Sequence, residues 1–248
     1  MKSMIKKEYV LPNFITLMSM FSGFYSIISS VNGEFVPAAY AILFAFIFDG
    51  LDGKVARMLH ATSDFGIQMD SLSDIIAFGI APALLVYNWV LIPYGRVGWM
   101  AAFLFVACGA LRLARFNVMT KKLDNRYFIG LPIPAAAGVI ASSVLFVKEL
   151  IGTPDGLTIP LSFVLFIYLL AFLMVSNVKY YSFKKIELHG VKPFRLLVGF
   201  TLMIIIIGSY PEIFLFVFFI VYALSGLLLE LLKVFRHRTL EAKEGHIK

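Results

Sequence analysis

Four carboxylates fall in one short stretch of a chain that is 60% apolar: Asp49-Gly50-Leu51-Asp52-Gly53-Lys54-Val55-Ala56-Arg57, then Gly66-Ile67-Gln68-Met69-Asp70 and Asp74. On insertion scales a carboxylate in hydrocarbon costs about 2.5–3.5 kcal/mol, so four carry a burden of about 10 kcal/mol that polyvalent cations would offset. On helices, Asp49 and Asp52 stand at i and i+3 and Asp70 and Asp74 at i and i+4, so each pair shares a face. Gly53 follows Asp49 by four residues, Ala56 follows Asp52 by four, and Gly66 precedes Asp70 by four, which strips side chains from the surface beside each acid. Such a surface admits a bulky ligand close to the backbone, and Arg57 adds a cation to the same face.

Four ionised aspartates in one pocket repel, and two divalent ions bring their charge to zero. Carboxylate oxygens are hard ligands that favour Mg²⁺, Mn²⁺ or Ca²⁺ over zinc, and Mg²⁺ typically joins a few carboxylates to the phosphates of a substrate. The cluster therefore implies a phosphate-bearing substrate. Simple pairing of the acids with Lys54 and Arg57 is the bland alternative, but two bases cannot neutralise four acids, and pairing gives the glycines no role. A cation pathway in a transporter would scatter its charged groups nearer mid-membrane.

The elements that carry these residues are membrane helices. Only 15% of the 248 residues are charged and mean hydropathy is +0.88, which excludes an ordinary water-soluble domain. About eight segments have the length and apolarity of a crossing, near residues 11–31, 36–58, 68–92, 98–117, 130–151, 159–177, 194–209 and 211–235. Gly208-Ser209-Tyr210-Pro211-Glu212 reads as the turn between the last two. Lys2, Lys6 and Lys7 precede the first apolar run, whose length fits a retained span rather than a cleaved signal peptide. The expected fold is all-α: one polytopic helical-bundle domain over residues 1–248, with its site near the cytoplasmic side.

Of the 22 Lys and Arg, all but Arg96 and Lys148 fall on one side of this arrangement. The positive-inside rule then puts both termini and the aspartates on the cytoplasmic side of the cell membrane. Lys179 to Arg195 interleaves Tyr180, Tyr181, Phe183 and Ile186 with bases, as an interfacial stretch on anionic lipid or a solvated loop would. Because orientation accounts for the basic excess, no nucleic-acid partner is expected. Cys108, the single cysteine, reads as packing. His60, His189, His237 and His246 lack the close spacing of a metal site.

Asp-x-x-Asp-Gly-x-x-Ala-Arg, eight residues, then Gly-x-x-x-Asp-x-x-x-Asp resembles the signature of the CDP-alcohol phosphotransferases, and every position is filled here by Asp49, Asp52, Gly53, Ala56, Arg57, Gly66, Asp70 and Asp74. Within that family the chain is similar to the integral-membrane phosphatidylserine synthases through Thr62 to Gly66, Asp70 to Asp74, Phe78 to Ala83, Leu111 to Asn117 and Gly130 to Ala136; Ser73 stands where related enzymes often carry Ala. The resemblance implies transfer of a phosphatidyl group from a CDP-linked lipid to the hydroxyl of L-serine, with release of CMP. It implies that Asp49, Asp52 and Asp70 ligate two divalent ions, Mg²⁺ or Mn²⁺, with Asp74 completing the site and acting as base. It further implies that Gly53, Ala56, Arg57 and Gly66 hold the CDP-lipid, and that the protein is a homodimer. Small residues in Ala101 to Ala114 permit close helix approach.

A serine carboxylate asks for a guanidinium. Arg112 and Arg115 lie one turn apart at a cytoplasmic helix end with Asn117 just beyond, so these three are candidate contacts to serine or to phosphate. Anchoring the helix at the membrane surface is their alternative role. The competing functions are another head-group transferase, such as phosphatidylglycerophosphate synthase, and a divalent-cation transporter.

Overall fold

The structure, a computed structural model, describes residues 7–119, 127–152, 161–181, 201 and 208–245. It is an all-α bundle built from α1 (Lys7–Val31), α2 (Phe35–Met58), α3 (Asp64–Asp74), α4 (Ala81–Val86), α5 (Gly95–Met119), α6 (Ile133–Ile151), α7 (Leu161–Val175) and α8 (Pro211–Gly245). Among the described residues five helical stretches are long and apolar enough to cross a membrane, and α7 is a shorter apolar helix. One of the five, Asp64 to Val118, holds both spans expected at 68–92 and 98–117: Gly95 leaves the helix at φ +54° and ψ −122°, and α5 packs back against α4. The span expected at 194–209 lies largely outside the described residues. Its neighbour begins at Pro211 as expected, with the Phe214 amide donating to the Tyr210 carbonyl at 3.1 Å.

Proline chemistry explains how the long run changes direction. Pro82 offers no N–H to the carbonyl one turn before it, and the helix accommodates this with a wide π turn over Ile75–Ile80, directly after Asp74. The pattern recurs at Tyr87–Leu91 ahead of Pro93, and a 3₁₀ turn at Ile92–Tyr94 then ends in Gly95 at φ +54°.

The end of α2 is similarly specific. His60 adopts φ +52°, and the amides of Leu59, His60 and Ala61 donate back to the carbonyls of Val55, Arg57 and Ala56 at 3.0, 3.2 and 2.9 Å. Ser63 then caps α3, its hydroxyl accepting from the Gly66 amide at 3.0 Å. This tight reversal carries the chain from the acids of α2 to those of α3.

Packing uses small residues, as expected where lipid supplies no hydrophobic drive between helices. Ala38, Ala39 and Ala45 of α2 are buried, and Ala135 to Leu145 make α6 the bundle's central pillar. Gly23 of α1 lies so close to the first π turn that a Cβ there would sit 2.5 Å from the Ala77 Cα. Buried serines bond within or between helices, Ser19 donating to the Ala45 carbonyl at 3.1 Å and Ser143 to the Val139 carbonyl at 2.6 Å, whereas Ser26 Oγ has no partner among the described residues. Phe21, Phe44, Phe103 and Phe172 instead point outward, as lipid-facing side chains do. Ala101, Ala102 and Cys108 are buried in this chain's own core, α5 packing on α7, while Ala110 and Ala114 stay exposed.

A two-stranded antiparallel ribbon pairs β1 (Tyr127–Ile129) with β2 (Lys179–Tyr181). Sequence reading places no strand here, and the remainder of the interfacial stretch expected at 179–195 lies outside the described residues. Gly130, at φ +77°, ends β1 where a Cβ would meet the Met174 carbonyl, and its amide donates to Val178 at 2.8 Å. Tyr180 is fully buried, its hydroxyl donating to the Ala223 carbonyl of α8 at 3.0 Å. Burial, and secondarily Tyr222, pushes that hydroxyl up to about 12, so it stays protonated at any physiological pH.

Candidate active site

Three of the four predicted acids converge. Asp49 from α2 and Asp70 and Asp74 from α3 are half-buried, and each offers an oxygen within 4.8 Å of the other two. Three carboxylate oxygens this close fit a hard divalent cation, which would replace their mutual repulsion with attraction. Asp52 does not join this group. It is the most buried of the four at 6% exposure, and its Oδ2 accepts from the Thr16 hydroxyl of α1 at 2.7 Å.

Beside the acids lies a cavity of about 170 Å³ whose lining includes Asp52, Gly53, Ala56, Arg57, Gly66 and Asp70. Every signature residue outside the acidic trio therefore lines this pocket, and Asp70 belongs to both. The glycines keep it open: a Cβ at position 66 would stand 3.2 Å from Ser63 Oγ and 3.5 Å from Asn13 Oδ1, and one at position 53 would stand 3.5 Å from an Arg57 guanidinium nitrogen. The pocket combines bare backbone, one guanidinium and two carboxylates, which suits a nucleotide diphosphate delivered with its metal.

The three α5 candidates part company. Arg112 is 7% exposed, lies over the Phe116 ring at 5.9 Å and has Asp74 and Tyr222 in its electrostatic surroundings. Its Nε–H has no hydrogen-bond partner among the described residues. A buried donor left unsatisfied costs about 1–3 kcal/mol, so an acceptor bound at this position gains that much in return. Arg115 is engaged elsewhere, donating to the carbonyls of Val175 and Ser176 at 3.2 Å each and to Asn177 Oδ1 at 3.3 Å. It closes the C-terminal end of α7, where free carbonyls attract a cation. Asn117 donates to Ser71 Oγ at 2.9 Å and so ties α5 to α3 between Asp70 and Asp74.

Sequence reading missed the contribution of α1. Pro12, Asn13 and Thr16 line the cavity with Ala61, Thr62 and Ser63. The available signal was a polar pair, Asn13 and Thr16, at helical spacing in an apolar span. Tyr222 of α8, beside Arg112, gave no signal in an aromatic-rich segment.

Fold and site together define a polytopic helical membrane protein with a cation-competent acidic centre beside a glycine-lined pocket that holds one guanidinium. The chain belongs to the CDP-alcohol phosphatidyltransferase family, whose model matches residues 9–178 and whose members generally use divalent metals. It is 43% identical over 205 residues to the CDP-diacylglycerol–serine O-phosphatidyltransferase of Helicobacter pylori strain 26695, covering 82% of this chain and 84% of the relative. An archaetidylserine synthase from Methanothermobacter thermautotrophicus is 38% identical over 172 residues, 68% of this chain and 69% of the relative. A CDP-diacylglycerol–serine O-phosphatidyltransferase from Methanocaldococcus jannaschii is 31% identical over 224 residues, 90% of this chain and 96% of the relative.

Proposed function

We propose that this protein transfers a phosphatidyl group from CDP-diacylglycerol, or an analogous CDP-lipid, to the hydroxyl of L-serine, releasing CMP. The observation that carries this reading is the convergence of Asp49, Asp70 and Asp74 beside a pocket lined by Asp52, Gly53, Ala56, Arg57 and Gly66. The names of relatives that span most of this chain support serine as the acceptor.

In this reading Asp49, Asp52, Asp70 and Asp74 hold two divalent ions, Mg²⁺ or Mn²⁺, with Asp70 shared between the trio and the pocket. Such ions, when bound, neutralise the diphosphate and the leaving CMP oxygen. Gly53, Ala56 and Gly66 let the cytidine diphosphate approach backbone, and Arg57 neutralises a phosphate oxygen. Asp74 takes the serine hydroxyl proton; a carboxylate is a weak base, so its placement beside the attacking oxygen supplies most of the effect. Arg112 is the residue best suited to the serine carboxylate, being buried next to Asp74 with a donor to spare. Asn117 holds α5 against α3, and Arg115 fixes the end of α7, so both act by positioning. The enzyme forms one domain that works as a homodimer in the cell membrane, with both termini and the acids on the cytoplasmic side, as the distribution of bases supports.

The test incubates the purified protein with CDP-diacylglycerol, Mg²⁺ or Mn²⁺ and one alcohol at a time. CMP release that requires serine is expected. Release with glycerol 3-phosphate in its place would make the protein another head-group transferase, and no release with any alcohol, together with ion flux in liposomes, would make it a transporter.

A further inference from the structure

Thr16 connects the two helices that bear the acids. Its hydroxyl lies 2.7 Å from Asp52 Oδ2 on α2 and 3.1 Å from the Pro12 carbonyl on its own helix. A hydroxyl has one proton to give, and the shorter, charge-assisted contact takes it. The backbone carbonyl of the same residue accepts from Ser73 Oγ of α3 at 3.1 Å, one position before Asp74. Thr16, Asp52 and Ser73 are all buried, at 5, 6 and 2% exposure, although Thr16 and Asp52 also border the cavity. A single residue of α1 thus fixes the Asp52 carboxylate and the segment leading to Asp74 relative to each other.

We propose that Thr16 is a positioning residue that orients the Asp52 carboxylate against α3 and thereby sets the cation affinity of the acidic centre. The inference rests on the proposed reading in which Asp52 ligates a cation beside the trio of Asp49, Asp70 and Asp74. With Oδ2 engaged by Thr16, the carboxylate cannot swing, and its remaining lone pairs are presented in a fixed direction. Groups that orient a ligating carboxylate from outside the coordination sphere typically contribute about 10–100-fold in metal affinity. Neither composition nor the signature spacing marks Thr16 for this role, because it lies in a different helix from the acids.

The experiment measures Mn²⁺ binding to the purified full-length protein in detergent, without substrate, from the paramagnetic signal of the free ion. Thr16→Val keeps the side-chain shape and removes the hydroxyl, and Thr16→Ala removes it without any possibility of a clash. Both are expected to weaken Mn²⁺ binding by about 10-fold or more, while Thr16→Ser, which keeps the donor, stays within about 3-fold of wild type. Asp49→Asn serves as the reference for a lost ligand. Wild-type isotherms for Thr16→Val and Thr16→Ala beside a weakened one for Asp49→Asn would overturn the role of Thr16 alone. Unchanged isotherms for all three would overturn the metal reading together with it. A loss in Thr16→Ser equal to that in Thr16→Val would also overturn the proposal, since packing and not the hydroxyl would then be responsible.

Discussion

The Asp74 carboxylate at the end of α3 comes within 4.8 Å of the Asp49 carboxylate on α2, although a helix end and a tight reversal separate them in the chain. Two acids at that distance share whatever is bound between them, so neither can be changed without affecting the other. Asp74 also has Arg112 nearby, which places it between the acidic centre and the buried guanidinium. That position suits a base acting on a hydroxyl whose own carboxylate is held by Arg112.

Asp74→Asn keeps the shape and removes the basic oxygen. Serine-dependent CMP release is expected to fall about 10²–10⁴-fold, the usual worth of a positioned base, while CDP-lipid binding is retained in part. A variant with wild-type turnover would remove Asp74 from the base role.

Arg112→Ala should raise the KM for serine about 10–100-fold, the value of a charge-assisted pair of hydrogen bonds, with a smaller change in the KM for CDP-lipid. Arg112→Lys should recover little, because an ammonium cannot engage a carboxylate through two parallel bonds. Equal effects on both KM values would point to phosphate and not serine as the partner.

Arg115→Ala should behave differently from its neighbour. It removes the donors that close α7 at Val175, Ser176 and Asn177, at a cost of about 1–3 kcal/mol in stability. Thermal unfolding in detergent should show a lowered Tm, and the residual folded enzyme should keep its serine KM.

Gly23→Val forces a branched side chain against the Ala77 backbone, where even a Cβ comes to 2.5 Å. Overpacking of this kind costs about 1–3 kcal/mol and pushes α1 away from the π turn that follows Asp74. A lowered Tm together with reduced turnover is the expected pair of results; an unchanged melt would mean that α1 shifts freely at this contact.

Chelation should abolish CMP release, and readdition of Mn²⁺ or Mg²⁺ should restore it where Zn²⁺ does not, because the converging donors are carboxylate oxygens. Full activity in excess chelator would be incompatible with a role for these acids in holding ions.

The pairing of Asp70 with Asp74 was legible in the chain because i, i+4 spacing is local, whereas the i, i+3 spacing of Asp49 and Asp52 did not bring those two together, Asp52 being engaged by Thr16 of another helix. The spans near 68–92 and 98–117 were legible from apolar length and meet at the 3₁₀ turn and Gly95, whereas the π turns ahead of Pro82 and Pro93 were not, because apolar content does not report hydrogen-bond register. Tyr222 gave no signal, and Thr16 only that of a polar residue one turn from Asn13 in an apolar span, for a related reason. Each acts across helices, and in a chain of uniformly apolar segments no local pattern states which faces will meet. Arg112 and Arg115 looked equivalent at one-turn spacing, yet burial and partners separate them, one left with a spare donor and the other saturated by carbonyls.

The π turn at Ile75–Ile80 has a consequence for how this scaffold tolerates change. An extra residue per turn rotates everything downstream by about 100° relative to a regular helix. The same segment therefore turns its acids to the acidic centre before the turn and Ala81, Ala83 and Leu85 to the bundle interior after it. The turn acts as a phase joint, so the acidic edge and the packed edge are set independently of each other. Lipid-facing and core-facing residues below the joint can drift to suit a membrane without turning Asp70 and Asp74 out of register with Asp49.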